Sequence, residues 1–203
     1  FLDDDDAFLD NHLLELYKAI TKDKNPFTLY HTRAIIKKQN GVTSNQPYYK
    51  NNLQGGEKLM NDQFILSSTC INAEIAKKHP YNPHLSFSED FELWIRLSRI
   101  LKFKAINKYT IEYLVHDANS VNWSYESNIN KLTTLKYISQ HHSGIIRPSY
   151  LRIRIAQTAS IVADYDVRAN RKKDAISHTW LIIRNNPKYI LKRHFWGLMK
   201  GLI

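Results

Sequence analysis

The sequence predicts an α/β segment followed by a purely helical one. Stretches of loose apolar–polar alternation at 27–36, 64–70 and 103–116 are interleaved with amphipathic helical spacings at 13–20 and 89–101. From Trp123 onward only the helical spacing persists. A hydrophobic fraction of 43% with 12% aromatic residues is that of a chain with a real core, and 203 residues suit one domain with an appendage. The pattern changes at about 117–122, which divides the chain into 1–121 and a helical extension at 122–203.

Taken in order, Phe1-Leu2 reads as the end of a buried strand, with an acidic loop after it. The chain is therefore expected to be a fragment that lacks its true N-terminus. Asp10 or Asn11 is placed to cap a helix carrying Leu13, Leu14, Leu16, Tyr17 and Ile20. A break at 22–26 leads to a strand over 27–36, then to a long polar loop over 39–56, rich in Asn and Gln and holding Gly41, Pro47, Gly55 and Gly56. Phe64–Cys70 reads as a strand and Ala73–Lys78 as a short helix. Pro80 and Pro83 make 79–83 a turn. Ser88 is placed to cap a helix from Glu89, whose Leu93, Trp94, Leu97, Ile100 and Leu101 share a face and whose Glu92 and Arg96 stand one turn apart. One or two strands follow over 103–116. Four helices are expected over about 123–142, 148–169, 171–185 and 187–201, with Pro148 and Pro187 in first turns.

Composition excludes some chemistries. The single Cys70 rules out an internal disulfide and a cysteine-rich zinc site, and reads as a small buried apolar residue. No run of eighteen apolar residues exists, so no ordinary membrane-spanning helix is expected, and there is no signal-peptide pattern. The formal net charge is +10, with Lys and Arg gathered toward the C-terminus. A basic face of that kind attracts phosphate in nucleotides, nucleic acid or anionic lipid. Trp180, Ile183, Tyr189, Ile190, Phe195, Trp196, Leu198 and Met199 are interleaved with those cations, a composition that suits a membrane surface as well as packing on the parent domain.

Two acidic clusters stand against this background. Asp3-Asp4-Asp5-Asp6 sets four carboxylates in a row, where neighbours about 4 Å apart repel by roughly 1 kcal/mol in water. Such a run is either fully solvated or holds a hard divalent cation such as Mg²⁺ or Mn²⁺. On an extended strand end Asp3 and Asp5 point to one side, able to address one metal ion or one ribose-phosphate group. The alternative is an acidic surface turn. Glu89-Asp90 at a helix start is placed to act as a general base or simply to complement the helix dipole. His116 ends a strand and is chemically suited to Mn²⁺. His141, His142, His178 and His194 lack ligand spacing.

The order of these pieces resembles the family 2 glycosyltransferases, inverting enzymes of the GT-A fold. Their Leu-Asp-x-Asp-Asp is matched by Leu2 to Asp6, and their Glu-Asp-x-x-Leu-Trp-x-Arg-Leu by Glu89, Asp90, Leu93, Trp94, Arg96 and Leu97. Tyr81-Asn82-Pro83-His84-Leu85 looks like the family's lead-in, and His116 with Asn119-Ser120-Val121 falls where the family often has such residues. The likeness covers about residues 1–121. It implies a GT-A-like α/β fold, a Rossmann-like mixed sheet flanked by helices, incomplete at the N-terminus. By the same likeness the enzyme moves a sugar from a nucleotide-diphosphate donor to an acceptor hydroxyl, with a glycan or lipid-linked glycan as acceptor. The setting implied is bacterial cell-surface polysaccharide synthesis, such as lipopolysaccharide or capsule.

The resemblance also implies site roles. Asp3, Asp4 and Asp5 would face the nucleotide sugar as the DXD motif. Asp5, Asp3 and His116 would hold Mn²⁺ or Mg²⁺. Asp90 would be the base, Glu89 would orient the acceptor, and Trp94 would pack in the core. The family's nucleotide-binding first strand and its Pro-x-Tyr-Asn-like turn have no counterpart, so the fragment alone is expected to be inactive. Leu114 stands where the family commonly has Arg. The expected location is cytoplasmic, peripheral at the inner face of the cell membrane. No nucleic-acid partner is expected, since no reading motif appears. A basic nucleic-acid-binding or non-catalytic interaction module is the alternative.

Overall fold

A computed structural model of the chain describes residues 2–46, 55–61, 65–85, 88–115, 124–142 and 144–202. In chain order, β1 (Ala7–Phe8), α1 (His12–Asp23), β2 (Thr28–Lys38), β3 (Thr43–Asn45), α2 (Gly56–Asn61), β4 (Thr69–Cys70), α3 (Ala73–Lys78), α4 (Glu89–Leu97) and β5 (Lys102–Val115) precede α5 (Tyr125–His141), α6 (Pro148–Arg168), α7 (Lys172–Asn185) and α8 (Arg193–Leu202). The chain divides into two compact units: Phe1–Asn82 with Asp90–Ser120, and Pro83–Glu89 with Val121–Ile203.

The first unit is α/β, with a mixed five-stranded sheet flanked by helices. Its strand order is β1-β5-β2-β3, with β4 also pairing β2. β2 and β5 run parallel and the other pairs antiparallel. Parallel strands with both faces covered carry continuous rather than alternating burial, and every residue from Thr28 to Ala34 is buried. Polar side chains in that run are knitted together. Thr110 Oγ1 donates to Thr32 Oγ1 at 2.6 Å and meets His12 Nδ1 at 2.8 Å. The Arg33 guanidinium lies over the Tyr109 ring at 4.0 Å and donates to the Gln46 carbonyl. The Gln46 side chain accepts from the Ala34 amide at 3.0 Å and so prolongs the sheet edge past β3.

Several expectations need correction. Leu2 is exposed and lies in no strand; Phe1 is outside the described residues. The strand expected over 64–70 is a 3₁₀ turn at Leu66–Ser68 followed by two paired residues. The reason is local competition by hydroxyls: Ser68 Oγ donates to the Ile65 carbonyl at 2.6 Å and Thr69 Oγ1 to Leu66 at 2.7 Å. Asn11 sits at the N-cap of α1, yet its side chain donates to the Tyr109 carbonyl instead of capping. Of the apolar positions on α1 only Leu16 is buried; Leu13, Leu14, Tyr17 and Ile20 are exposed. The residues 103–116 form one strand, as far as Val115. Cys70 is a free, partly buried thiol that burial pushes up from its ordinary value.

In the second unit α6 packs between α5 and α7. Its inward residues Ala156, Ala159, Ser160 and Ala163 are small, which permits close approach. Asp166 is buried without exposure; Arg171 donates to it at 2.8 Å and His178 Nδ1 meets it at 2.8 Å. The Arg171 guanidinium also covers the Tyr125 ring at 3.9 Å, which ties α5 to the junction of α6 and α7. The helix expected over 187–201 is divided into a 3₁₀ turn at Pro187–Leu191 and α8, because Lys192 is extended (φ −83°, ψ 136°). The Tyr189 hydroxyl, 2.7 Å from Ser160 Oγ, anchors that turn on α6.

Two expected outcomes follow from this packing. His31 is fully buried, and burial lowers its imidazole from 6.5 to about 4. Between those values the unfolded chain binds more protons than the folded one. Stability is therefore complete above pH 6.5 and falls as the pH drops toward 4, by on the order of 3 kcal/mol in total. Urea unfolding across that range measures the slope, and His31→Leu flattens it. Asp166→Ala leaves a cation facing an empty acceptor site in the core of the helical unit. It is expected to cost about 3 kcal/mol, read as a lowered melting temperature of the helical signal.

Candidate functional site

β1 lies against β5 with Ala7 opposite Glu112 and Phe8 opposite Ile111. The Leu9 amide donates to the Thr110 carbonyl at 2.8 Å and extends the pairing. The tetra-aspartate run directly precedes β1 and is folded as a turn: the Asp6 amide donates to the Asp3 carbonyl at 3.2 Å. The Asp3 amide in turn donates to Ser67 Oγ at 3.0 Å. Backbone bonds thus hold four adjacent carboxylates that would otherwise separate. Asp4 is exposed, whereas Asp3, Asp5 and Asp6 are partly buried.

Asp6 carried no role of its own within the acidic run, yet it accepts a bond from the sheet strand β5. The Leu114 amide donates to Asp6 Oδ1 at 3.4 Å. Burial raises the Asp6 carboxyl from its ordinary value, the Ser67 hydroxyl and the Leu114 amide oppose that, and Asp5 and Asp3 add to it. Leu114 thus contributes its backbone amide, while its side chain is exposed.

Asp90 belongs to the second acidic cluster. It lies in the first turn of α4 and accepts from the Phe91 amide at 2.6 Å. The rest of the helix is buried: Phe91, Leu93, Trp94, Ile95 and Leu97 enter the core. Glu92 is buried too, and Arg96 grips it through two nitrogens at 3.0 and 3.2 Å while donating to the Pro80 carbonyl at 2.7 Å. The acid pair is therefore the part-exposed front of an otherwise interior helix. Glu89, the first helical residue, is partly exposed and falls in the second unit. Ser88 before it has φ 55°, a conformation that costs a residue with a side chain on the order of 1 kcal/mol.

Tyr113 on β5 joins the two acidic groups. Its phenol is raised from its ordinary value by burial and then by the charges of Asp6, Asp5, Asp3 and Asp90. Carboxylates of the aspartate turn and, least of them, Asp90 at the start of α4 thus both act on Tyr113. Tyr113 was not legible as a site residue, and Asp6 was legible only as a member of the acidic run. The available signal was the register, since Asp6 follows on opposite Tyr113 once Ala7 faces Glu112. His116 lies outside the described residues, as do Asn119 to Val121 and much of the loop at 39–56.

The donors in this region are hard carboxylate oxygens, the chemistry that Mg²⁺ and Mn²⁺ prefer. Among the described residues no three His, Cys, Asp or Glu side chains gather closely enough to hold a metal by themselves. No protein-family model and no curated protein matches the chain.

Removing Arg96 would leave the Glu92 carboxylate, 1% exposed, without its guanidinium. Arg96→Ala is expected to destabilise the first unit by about 3 kcal/mol, read as a shift in the urea midpoint. Glu92→Gln with Arg96→Ala together should recover part of that loss.

Proposed function

We propose that this chain carries the metal and acceptor side of an inverting, GT-A-type glycosyltransferase, as its motifs imply. The single observation that supports this reading best is the shared influence of Asp3, Asp5, Asp6 and Asp90 on Tyr113. The two signature motifs are separated by more than eighty residues in sequence, yet carboxylates of both act on the Tyr113 phenol. A family likeness without chemical meaning would not require that.

In this reading Asp90 accepts the proton of the acceptor hydroxyl. The oxygen attacks the anomeric carbon from one face while the bond to the nucleoside diphosphate breaks on the other, so the configuration inverts. Asp3 and Asp5 would hold the divalent cation, with His116 as a further ligand, and Asp4 is the exposed member of the turn. Glu89 orients the acceptor. The cation, when bound, neutralises charge on the departing diphosphate. Ser67 and the Leu114 amide hold the turn in place, and Arg96 and Trp94 hold α4, so the chemistry is left to the part-exposed carboxylates. The acceptor is a surface glycan or its lipid-linked precursor.

Two substitutions separate the roles. Asp90→Asn keeps the shape of the side chain and its bond from the Phe91 amide but removes the base. It should lower turnover of a nucleotide sugar at least a hundredfold while Mn²⁺-dependent donor binding persists. Asp5→Ala should lose that metal-dependent binding. The readouts are release of nucleoside diphosphate and calorimetric titration of the donor with and without Mn²⁺. Full turnover in Asp90→Asn would remove the base from this assignment, and unchanged metal dependence in Asp5→Ala would remove the ligand.

A further inference from the structure

The basic excess of the chain has a definite place. Residues 121–203 contain fourteen Lys and Arg against four Asp and Glu, whereas residues 1–120 contain fifteen of each. The whole net charge of +10 therefore belongs to the helical part. Three of its cations converge. Lys136 from α5, Arg152 from α6 and Arg184 from α7 line one open cavity of about 540 Å³, together with Ser139, Gln140 and Asn185. No acidic side chain lines it, and none of the three cations has an ion-pair partner among the described residues.

Helix stability does not account for this arrangement. Arg184 is in the last turn of α7, where the dipole favours a cation, but Arg152 is near the N-terminal end of α6, where the dipole opposes one. Three like charges brought together in this way favour an anion.

The surface beside the cavity is apolar. Lys173, Ile176, Trp180 and Arg184 follow one another at three- and four-residue steps, so they form a single exposed stripe on α7. Trp180 is 65% exposed and Ile176 58%. A free-standing Trp and Ile between Lys and Arg, leading directly into a cationic cavity, combine what an interfacial helix needs: an apolar body for the acyl boundary and cations for the headgroups. A free phosphate would be met by the cavity alone and gives no reason for the stripe.

We propose that the helical unit docks on an anionic phospholipid surface, with Trp180 and Ile176 in the interface and a headgroup phosphate seated among Lys136, Arg152 and Arg184. This docking is independent of the glycosyltransferase reading, because it uses no residue of the acidic region.

Co-sedimentation of the chain with vesicles tests it. Vesicles of equal parts phosphatidylglycerol and phosphatidylcholine should bind the protein, and binding should fall steeply with added salt. Vesicles of phosphatidylcholine alone should not bind it. Combined Lys136→Ala, Arg152→Ala and Arg184→Ala should weaken binding on the order of a hundredfold. Each single replacement should weaken it about fivefold, which serves if the triple variant does not fold. Trp180→Ala should weaken binding with its salt dependence unchanged, and Lys18→Ala and Lys77→Ala on the first unit should leave it as it is. Inorganic phosphate should compete better than chloride at equal ionic strength. Equal binding to both vesicle types, wild-type binding by the folded triple variant, or no difference between phosphate and chloride would overturn the proposal. Tighter binding to single-stranded DNA than to the anionic vesicles at the same salt would overturn it in favour of a nucleic-acid partner.

Discussion

β5 is the strand on which the first unit depends. It pairs in parallel with β2 over its whole length and takes β1 on its other edge. The second pairing is only two residues long, yet it sets the position of everything before it. Because Ala7 faces Glu112, the aspartate turn must come out beside Tyr113 and Leu114. The amide of Asp3 on Ser67 closes the turn from the far side. Four neighbouring carboxylates cost free energy to hold together, so their fixed geometry requires these backbone bonds.

The helix α4 illustrates how one motif divides its labour. Its first turn contains acids that are partly open to solvent, and its remaining residues form core. Trp94 is buried at 3% exposure, and the Glu92–Arg96 pair fastens the helix to the prolyl turn before it. A charge as deeply placed as Glu92 is tolerated only with a geometrically matched partner. The fastening is what allows Asp90 to stand in a defined position, since a carboxylate on a loosely held helix end would sample many.

The helical unit uses the same device for a different end. Asp166 accepts from Arg171 and meets His178, fixing the junction of α6 and α7, while the stacking of Arg171 on Tyr125 brings in α5. Those are the three helices that supply the cationic cavity. Buried charge is neutralised locally; exposed charge of one sign is left to face outward. Among the described residues no helix is long and apolar enough to cross a membrane.

Much was determined by the sequence alone. The helical spacing of α5 through α7, that of α4 as far as Leu97 but not on to the expected Ile100 and Leu101, the breaks at Pro80, Pro148 and Pro187, and the Glu92–Arg96 pair follow from local periodicity and from the steric rules of proline. Short strands and hydroxyl-rich segments were not legible in this way. Residues 64–70 carry strand-like composition, but Ser68 and Thr69 satisfy nearby carbonyls instead of a ladder. The exposed face of α1 likewise shows that apolar spacing marks a face without saying whether anything covers it. The candidate site lies between these cases. Its carboxylates could be named from their motifs, whereas Asp6 and Tyr113 acquired their place only through strand register. Register is a non-local quantity: it is decided by which backbone amides find which carbonyls across the sheet, and no window of neighbouring residues contains that information.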